Sequence, residues 1–514
     1  MYPDLDVPQP QVILAAGGTV EFRNDTDREL VFRQESNFFY LTGCNVPGSF
    51  VLAVYQPGQT PSIDLFVPEA VEADIMWSVP PPSLDAAAAS HDVTHVKHPA
   101  TIPSLLAALP PGALVHTLAR GSPLFPAIPD DHLAPLLVHD SITPTDAYLL
   151  TALHNARLIK DEHEISLIRK ANEISSRAHE TVMRVLGQAV KHGLRAGAAR
   201  EGRPLLPGEW LIEKEAAAEA IFVASCRREG AVHQAYLPIV ASSTRASTLH
   251  YCCNDREFAW GPVGPHDHQS STSPLSLSPQ VLLIDAGCEW DNYAADITRT
   301  TPVGNGGKFT PESRAIYTLV LAMQSASFAL CKPGTHWDAV QRVCHTTLIA
   351  GFKDLGIFRT GASEAELLAS GISAAFFPHG VGHSLGMDVH DVPSVSKPVD
   401  VTTGALQVIG DGALAGDKAE WGHASCYEYL RLRRPLEAGM VVTVEPGIYF
   451  SPHLLARAGV HNSAFLDVEV LRKYEGMGGV RIEDVVVITM EGYENLTTVR
   501  SDVEWVEGVS SGEI

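Results

Sequence analysis

Cysteine is scarce in this sequence, with eight residues in 514 and no CxxC pair. A dense disulfide framework is the usual means of stabilising a secreted domain with a small core. This sequence has no such framework. The scarcity of cysteine favours a reducing compartment.

Long apolar runs are also lacking, since no stretch of about 18 apolar residues occurs anywhere in the chain. The first residues, MYPDLDVPQPQ, contain no basic region followed by an apolar segment, which a secretory signal would need. We therefore expect a cytoplasmic protein that has no membrane partner.

Basic residues are few relative to acidic ones, 37 against 60, and the formal net charge is −23. Such a surface repels phosphate backbones, so nucleic acid is not an expected partner. A P-loop, an HExxH motif and a nucleophile elbow are also missing in the required context, which argues against nucleotide, single-zinc and serine-hydrolase chemistry.

The residues that are present indicate a folded chain of more than one domain. Apolar residues make up 45% and charged residues 19% of the sequence, a globular balance. Residues 1–155 mix short apolar runs with proline and glycine, which predicts a separate N-terminal α/β domain. The class expected for the whole chain is α+β.

Helical periodicity begins after this domain, with apolar residues at steps of three and four from 157 to about 186. A second helix is predicted within 209–228, and strands within 235–241 and 281–285. Helices then recur from Thr310 to 330 and from His336 to about 355, followed by strands at 441–444 and 485–489. We predict a catalytic domain over 156–505 and a tail over 506–514, with loop insertions near 261–279 and 393–421.

Two aspartates follow apolar runs at spaced positions. Asp285 ends one run, and Asp296 follows it by eleven residues. A hairpin that turns near 290–292 would bring both carboxylates to one end, where oxygen ligands can hold a hard cation. The structural alternative is that both are turn or cap residues.

Three histidines, His379, His383 and His390, are interleaved with glycines that allow close approach of the backbone. Imidazole is a good ligand for zinc, manganese, iron or cobalt. By contrast, the adjacent His266, Asp267 and His268 converge poorly, and we do not assign a metal to them.

Two glutamates, Glu445 and Glu483, occur in β-branched runs. An unpaired carboxylate in a buried strand is costly, so each requires a cation or a hydrogen-bond network. Arg481 is the structural alternative to a cation. Two aspartates, two glutamates and one histidine together favour a pair of metals.

The segments DAG…D, HGxGH, VEPGIY and GxRIED, in this order, resemble the family of methionine aminopeptidase, aminopeptidase P and prolidase. The resemblance covers about 150–500 and implies the pita-bread fold. The larger N-terminal domain, FRQESNFFYLTG at 32–43, DITRT and VHDVP favour the proline-specific branch, most similar to the fungal type of Xaa-Pro aminopeptidase.

The resemblance also implies roles for individual residues. The metal ligands are Asp285, Asp296, His383, Glu445 and Glu483, with Asp296 and Glu483 bridging two divalent ions, for which manganese is the family expectation. His250, His379 and His390 are expected to bind substrate. Glu445, His390, His379 and Arg481 form the expected catalytic set.

The implied reaction is hydrolysis of an N-terminal Xaa-Pro bond by a hydroxide held between the two metals. The implied partners are peptides with proline in second position, and relatives in the family lead us to expect a homo-oligomer. Two alternatives stay open: a prolidase restricted to Xaa-Pro dipeptides, and a pita-bread module that binds without catalysis.

Overall fold

The computed structural model describes residues 9–119, 121–137, 142–193, 199–200, 203–258, 277–397 and 422–514. The chain divides into two compact units, Met1–Arg157 and Leu158–Ile514. The predicted domain boundary between 155 and 156 lies two residues before this division. None of the helices in the described ranges has the length and apolar composition that a bilayer crossing requires.

The first unit contains a six-stranded mixed sheet in the order β4-β3-β2-β1-β5-β6. Strand β1 pairs antiparallel with β2 and parallel with β5. The strands are β1 Gln11–Ala16, β2 Phe50–Tyr55, β3 Ser62–Phe66, β4 His95–Lys97, β5 Leu114–His116 and β6 Thr143–Thr145. The helices are α1 Ser36–Thr42, α2 Leu84–Ser90, α3 Ile102–Ala107, α4 Asp130–Leu137 and α5 Leu149–Leu158, whose last residue reaches the second unit.

The second unit combines long helices with small antiparallel sheets. Its helices are α6 Glu162–His192, α7 Glu215–Arg228, α8 Pro311–Phe328, α9 Trp337–Asp354, α10 Glu364–Ser370, α11 Pro393–Ser396, α12 Pro452–Arg457, α13 Val468–Glu475 and α14 Val503–Ser511. Its strands are β7 Ala199–Arg200, β8 Arg203–Pro204, β9 Ile239–Ser242, β10 Gln280–Asp285, β11 Glu289–Trp290, β12 Tyr293–Ala294, β13 Thr298–Val303, β14 Val441–Val444, β15 Gly447–Tyr449, β16 Gly479–Arg481, β17 Asp484–Ile488 and β18 Tyr493–Asn495. Two three-stranded sheets, β13-β10-β9 and β14-β17-β18, hold most of the site.

Helix α6 confirms the long amphipathic helix predicted from the periodicity. It starts at a capping box in which Asp161 and Glu164 satisfy each other's backbone N–H groups, and it ends at Gly193 in the left-handed conformation. Apolar residues at helical spacing, including Ile168 and Val182, are buried along one face. This face anchors the core of the second unit.

Gly187 lies where α6 meets the C-terminal helix α14. A Cβ atom at this position would be 2.0 Å from the carbonyl oxygen of Val509. Alanine normally stabilises a helix interior by about 1 kcal/mol relative to glycine. We expect Gly187→Ala to destabilise the protein instead, by about 1–3 kcal/mol, because the contact leaves no room for a methyl group. Thermal unfolding, compared with the exposed neighbouring variant Gln188→Ala, measures the effect; equal stability of the two variants would contradict it.

The hairpin predicted between the two aspartates is present in a longer form. Strands β10 and β13 pair antiparallel, and β11 and β12 extend the connection between them. Asp291 and Asn292 both have positive φ, as a two-residue hairpin turn requires. Asp285 therefore ends one strand, while Asp296 lies just before the partner strand.

The second group of predicted elements also agrees with the structure. Thr310 caps α8 by accepting a hydrogen bond from the Ser313 N–H, and His336 caps α9. Strand β14 has the predicted bounds, and β17 is offset from its predicted bounds by one residue. Two long helices thus precede each of the two three-stranded sheets.

His345, on α9, is a fully buried histidine that binds Ser373 Oγ at 3.0 Å. Burial lowers its pKa from 6.5 to about 4. The neutral ring stabilises the fold fully above pH 6.5, and this contribution is lost as the pH falls from 6.5 towards 4. Between about pH 7.5 and about pH 5, wild type should lose about 2 kcal/mol more unfolding free energy than His345→Gln. Denaturant titrations at both pH values test this, with the exposed His163→Gln as a control that should behave like wild type.

The expected C-terminal tail requires correction. Residues 503–511 form α14, in which Val503, Val506 and Val509 are buried in the largest apolar cluster of the second unit. Residues 506–514 therefore belong to the compact second unit. Most of the two predicted insertions, together with His266, Asp267 and His268, lies outside the described residues.

Candidate metal centre

Asp285 and Asp296 converge on one phenolic hydroxyl. Tyr236 donates to Asp285 Oδ1 and to Asp296 Oδ1, each at 2.5 Å. Both carboxylates are buried. The backbone pairing of β10 and β13 brings the two aspartates together, because both lie at one end of this strand pair.

His383 approaches these carboxylates from the segment between α10 and α11, where its carbonyl oxygen accepts from the Thr443 N–H of β14 at 3.0 Å. Its Nε2 atom is 3.3 Å from Asp296 Oδ2 and 3.5 Å from Glu445 Oε1. The neighbouring Gly382 permits this approach, since a Cβ atom there would be 2.0 Å from the carbonyl oxygen of Thr443. Only glycine fits between the loop and the strand.

Glu445 and Glu483 enter the site from the ends of strands rather than from their interiors. Glu445 follows β14 directly, and Glu483 lies between β16 and β17. Glu483 is 1% exposed, so it is shielded from water almost completely. Thr298 Oγ1 donates to its Oε2 at 2.6 Å.

Burial and mutual repulsion raise the carboxyl pKa values in this cluster. The pKa of Asp296 is well above its usual value because of desolvation and then the charge of Asp285. Desolvation also raises the pKa of Glu445 and of Glu483, with further contributions from the neighbouring carboxylates. Without a cation, the cluster is electrostatically unfavourable.

Two features of the donor set fit divalent cations. His383 Nδ1 is 3.1 Å from the Ser384 carbonyl, and burial lowers the His383 pKa to about 4, so the neutral ring donates there. The lone pair on its Nε2 then faces oxygens of Asp296 and Glu445, which are acceptors in their ionised form. In addition, Glu483 Oε1 is buried and has no hydrogen-bond partner among the described residues.

Ligand atoms of Asp296, His383 and Glu483 all lie within 4.8 Å of one another. Acceptor groups that face one another in this way are stabilised when a cation lies between them. The residues present therefore fit a divalent metal centre.

Arg481 borders the cluster through several hydrogen bonds. It forms a short ion pair with Asp285 and donates from Nε to Thr298 Oγ1 at 3.0 Å. Its Nη1 donates to the Tyr449 hydroxyl at 3.0 Å, and that hydroxyl is 2.8 Å from His379 Nε2. Arg481 thus links Asp285 to His379.

All nine residues predicted from the sequence for the site line a single cavity of 620 Å³. They are His250, Asp285, Asp296, His379, His383, His390, Glu445, Arg481 and Glu483. The His390 ring packs edge-on against His383, with ring centroids 4.5 Å apart. His250 and His390 are exposed, as a substrate-facing position requires.

The sequence did not identify two further residues of the cavity. Tyr236 bridges the aspartates, although in the sequence it resembles an ordinary apolar residue before a strand. Arg431 lines the cavity and is exposed. Its position in the basic segment RLRR gave no sign of a role in the site.

Comparisons with known proteins agree with this geometry. The sequence model of metallopeptidase family M24 matches residues 166–490, and that of the aminopeptidase P N-terminal domain matches residues 5–114. The chain belongs to metallopeptidase family M24. Its M24 region contains all nine predicted site residues.

Relatives cover almost the whole chain. A protein named probable Xaa-Pro aminopeptidase PEPP, from Paracoccidioides brasiliensis, is 37% identical over 97% of this chain and 92% of its own length. Aminopeptidase PepP of Pseudomonas aeruginosa has a TM-score of 0.71 at 30% identity, covering 98% of this chain and 95% of its own. Zinc-substituted Escherichia coli aminopeptidase P, solved in complex with product, has a TM-score of 0.71 at 28% identity, covering 98% of this chain and 94% of its own.

Membership of the M24 family makes the protein a metal-dependent hydrolase. The predicted α+β class, with an aminopeptidase P type of N-terminal domain before a pita-bread catalytic domain, is confirmed. The resemblance to the aminopeptidase P branch is confirmed as well.

Proposed function

We propose that this M24 enzyme is a metalloaminopeptidase that hydrolyses the N-terminal Xaa-Pro bond of peptides. The observation that carries the proposal is the convergence of four carboxylates and His383 in one cavity whose lining also includes His250, His379 and His390. Similarity to proteins named Xaa-Pro aminopeptidase over nearly the full chain supports the same substrate class.

Two divalent cations would be held by the five predicted ligands. These ligands are Asp285, Asp296, His383, Glu445 and Glu483. When bound, such a pair lowers the pKa of water and polarises a carbonyl oxygen. Manganese is our choice of metal, because the family resemblance leads us to expect it and carboxylate oxygens suit it.

Glu445 is the proposed proton carrier. Its carboxyl group is partly buried, and desolvation followed by the charge of Glu483 raises its pKa, which favours acceptance of a proton. The peptide bond before proline has no N–H, and its leaving nitrogen must gain a proton. Glu445 would take a proton from the attacking water and deliver it to that nitrogen.

The histidines would position the peptide. His390, exposed beside His383, would donate a hydrogen bond to the carbonyl oxygen as negative charge develops there. His379 is held by the Tyr449 hydroxyl, and burial, followed by the charge of Arg481, lowers its pKa to about 3. A neutral His379, together with His250, would form a shallow pocket for the proline ring.

Arg431 favours a second candidate, a dipeptidase, because its guanidinium lines the cavity and suits the carboxylate of an Xaa-Pro dipeptide. Comparing kcat/KM for Xaa-Pro and Xaa-Pro-Yaa peptides separates the two activities. An aminopeptidase should prefer the longer peptide, and Arg431→Ala should then affect the dipeptide more.

The proposal extends to the setting of the enzyme. The scarcity of cysteine supports a cytoplasmic location, and the family resemblance supports a homo-oligomer. Residues 1–155 and 156–514 are the proposed functional domains.

Metal reconstitution tests the proposed function directly. Chelator-treated protein should be inactive, and added manganese should restore cleavage of Xaa-Pro-Yaa peptides in wild type but not in Glu445→Ala. Stoichiometric metal binding without cleavage would instead indicate a binding module. Cleavage that persists after complete metal removal would reject the proposal.

A further inference from the structure

The segment between β9 and Phe258 supplies one wall of the cavity. We call residues 243–256 the His250 loop; its members Leu249, His250 and Cys252 line the cavity. Among the described residues, none hydrogen-bonds the His250 ring. The position of this ring therefore depends on the conformation of the loop that carries it.

Glu215 binds this loop at several points. It is the first residue of α7 and is fully buried. Its Oε1 accepts hydrogen bonds from the Ser242 N–H at 2.9 Å, the Ser242 hydroxyl at 2.8 Å and Arg245 Nε at 2.8 Å. Its Oε2 accepts from the Tyr251 hydroxyl at 2.9 Å and from the Arg256 N–H at 3.1 Å.

The positions of these donors along the chain show which parts of the loop Glu215 holds. Ser242 directly precedes the His250 loop, Arg245 lies near its start, Arg256 lies at its end, and Tyr251 is next to His250. The backbone N–H of Glu215 also donates to the Arg256 carbonyl at 2.9 Å. One carboxylate thus fixes both ends of the loop and the residue beside the ring.

A buried carboxylate is costly to maintain, and here the positive end of a 14-residue helix and five donors offset that cost. If Glu215 served only to stabilise the fold, donors from the packed core alone would suffice. The Glu215 donors instead belong to a segment that faces the cavity, and neither Glu215 oxygen contacts a proposed metal ligand.

We propose that Glu215 is a positioning residue for substrate: by fixing the His250 loop, it holds the His250 ring against the proline side of the peptide. This inference rests on the proposed Xaa-Pro specificity. Glu215 acts on substrate binding through His250 and has no part in holding metal or moving protons.

The informative variant is Glu215→Gln, which keeps the shape of the side chain. The NH2 group of glutamine replaces one of the two oxygens that accept backbone N–H groups. In one orientation of the amide it faces the Ser242 N–H, and in the other it faces the Arg256 N–H. We expect KM for Xaa-Pro-Yaa peptides to rise about tenfold, with kcat nearly unchanged, because buried donors lose their acceptor. His250→Ala should likewise raise KM and leave kcat nearly unchanged. The double variant should have a KM no higher than that of His250→Ala.

Ile221→Ala is the matched control. Ile221 is buried on the same helix, and its truncation lowers stability without touching the loop. It should leave KM unchanged. A KM increase in Ile221→Ala as large as that in Glu215→Gln would overturn the proposal, and so would additive effects in the double variant.

Hydrogen exchange supplies a readout that does not need turnover. Glu215→Gln should lose protection within 243–256 while metal content stays at the wild-type level. If Glu215→Gln does not fold, Tyr251→Phe removes the hydroxyl that contacts Glu215 Oε2 at 2.9 Å and Asp255 Oδ1 at 3.1 Å, and should give a smaller KM increase. Unchanged loop exchange overturns this inference, whereas failure of wild type to cleave any Xaa-Pro peptide rejects the proposed function instead.

Discussion

Glu483→Gln is expected to lower kcat/KM by more than 100-fold and to remove tightly bound metal. Replacement of groups that merely support a metal ligand already costs about 10–100-fold. Glu483 is proposed to bind both cations directly, so its loss should exceed that range. Metal analysis of the purified variant and peptide hydrolysis measure both effects.

The same substitution should stabilise the metal-free protein. Glu483 Oε1 has no hydrogen-bond partner among the described residues, and the carboxyl pKa is raised by burial and by Asp296. Glutamine removes one of four crowded negative charges and places a donor where the partnerless oxygen lies. Metal-free Glu483→Gln should therefore unfold at a higher temperature than metal-free wild type.

Glu164→Gln serves as the control, because Glu164 is a buried carboxylate outside the cavity. It already accepts hydrogen bonds from the Tyr293 hydroxyl and from the Asp161 backbone N–H. This variant should keep its metal and show no gain in metal-free stability. Full metal content and near wild-type turnover in Glu483→Gln would contradict the proposed ligand set.

The candidate site could be predicted because its residues lie at the ends of recognisable strands. Asp285 closes an apolar run, Glu445 follows one, and glycines mark the His383 loop as a place of close approach. These signals are local, since strand ends and glycines are visible within a few residues. Their convergence in one cavity was predicted from the resemblance of these motifs, in their order, to the peptidase family.

Other features depend on contacts between distant residues and gave no local signal. Tyr236 and Arg431 resemble a core aromatic and a surface cation in sequence, and only their partners across the cavity reveal them. Residues 506–514 were predicted to be a tail because their sequence gives no sign of the contact with Gly187. That glycine lies more than 300 residues earlier in the chain. Short periodic segments at chain ends are especially ambiguous for this reason.

Lys160→Met is expected to destabilise the protein by about 3–5 kcal/mol, the cost of removing the cation from a buried ion pair. Lys160 Nζ is 2.8 Å from Asp391 Oδ2, and both side chains are almost fully buried. Asp391 directly follows His390, so this ion pair joins the start of α6 to the cavity wall. Denaturant unfolding of the metal-free protein measures the loss without a contribution from ligand binding.

The double variant Lys160→Met/Asp391→Leu separates charge from packing. If the cost of the single variant comes from a buried carboxylate that has lost its cation, replacing both partners by apolar groups should recover most of the lost stability, because it removes the desolvated charge altogether. If the double variant is as unstable as Lys160→Met, the charge explanation fails. The contacts of the lysine stem would then be what this part of the core requires, since long cationic side chains also stabilise through their methylene groups.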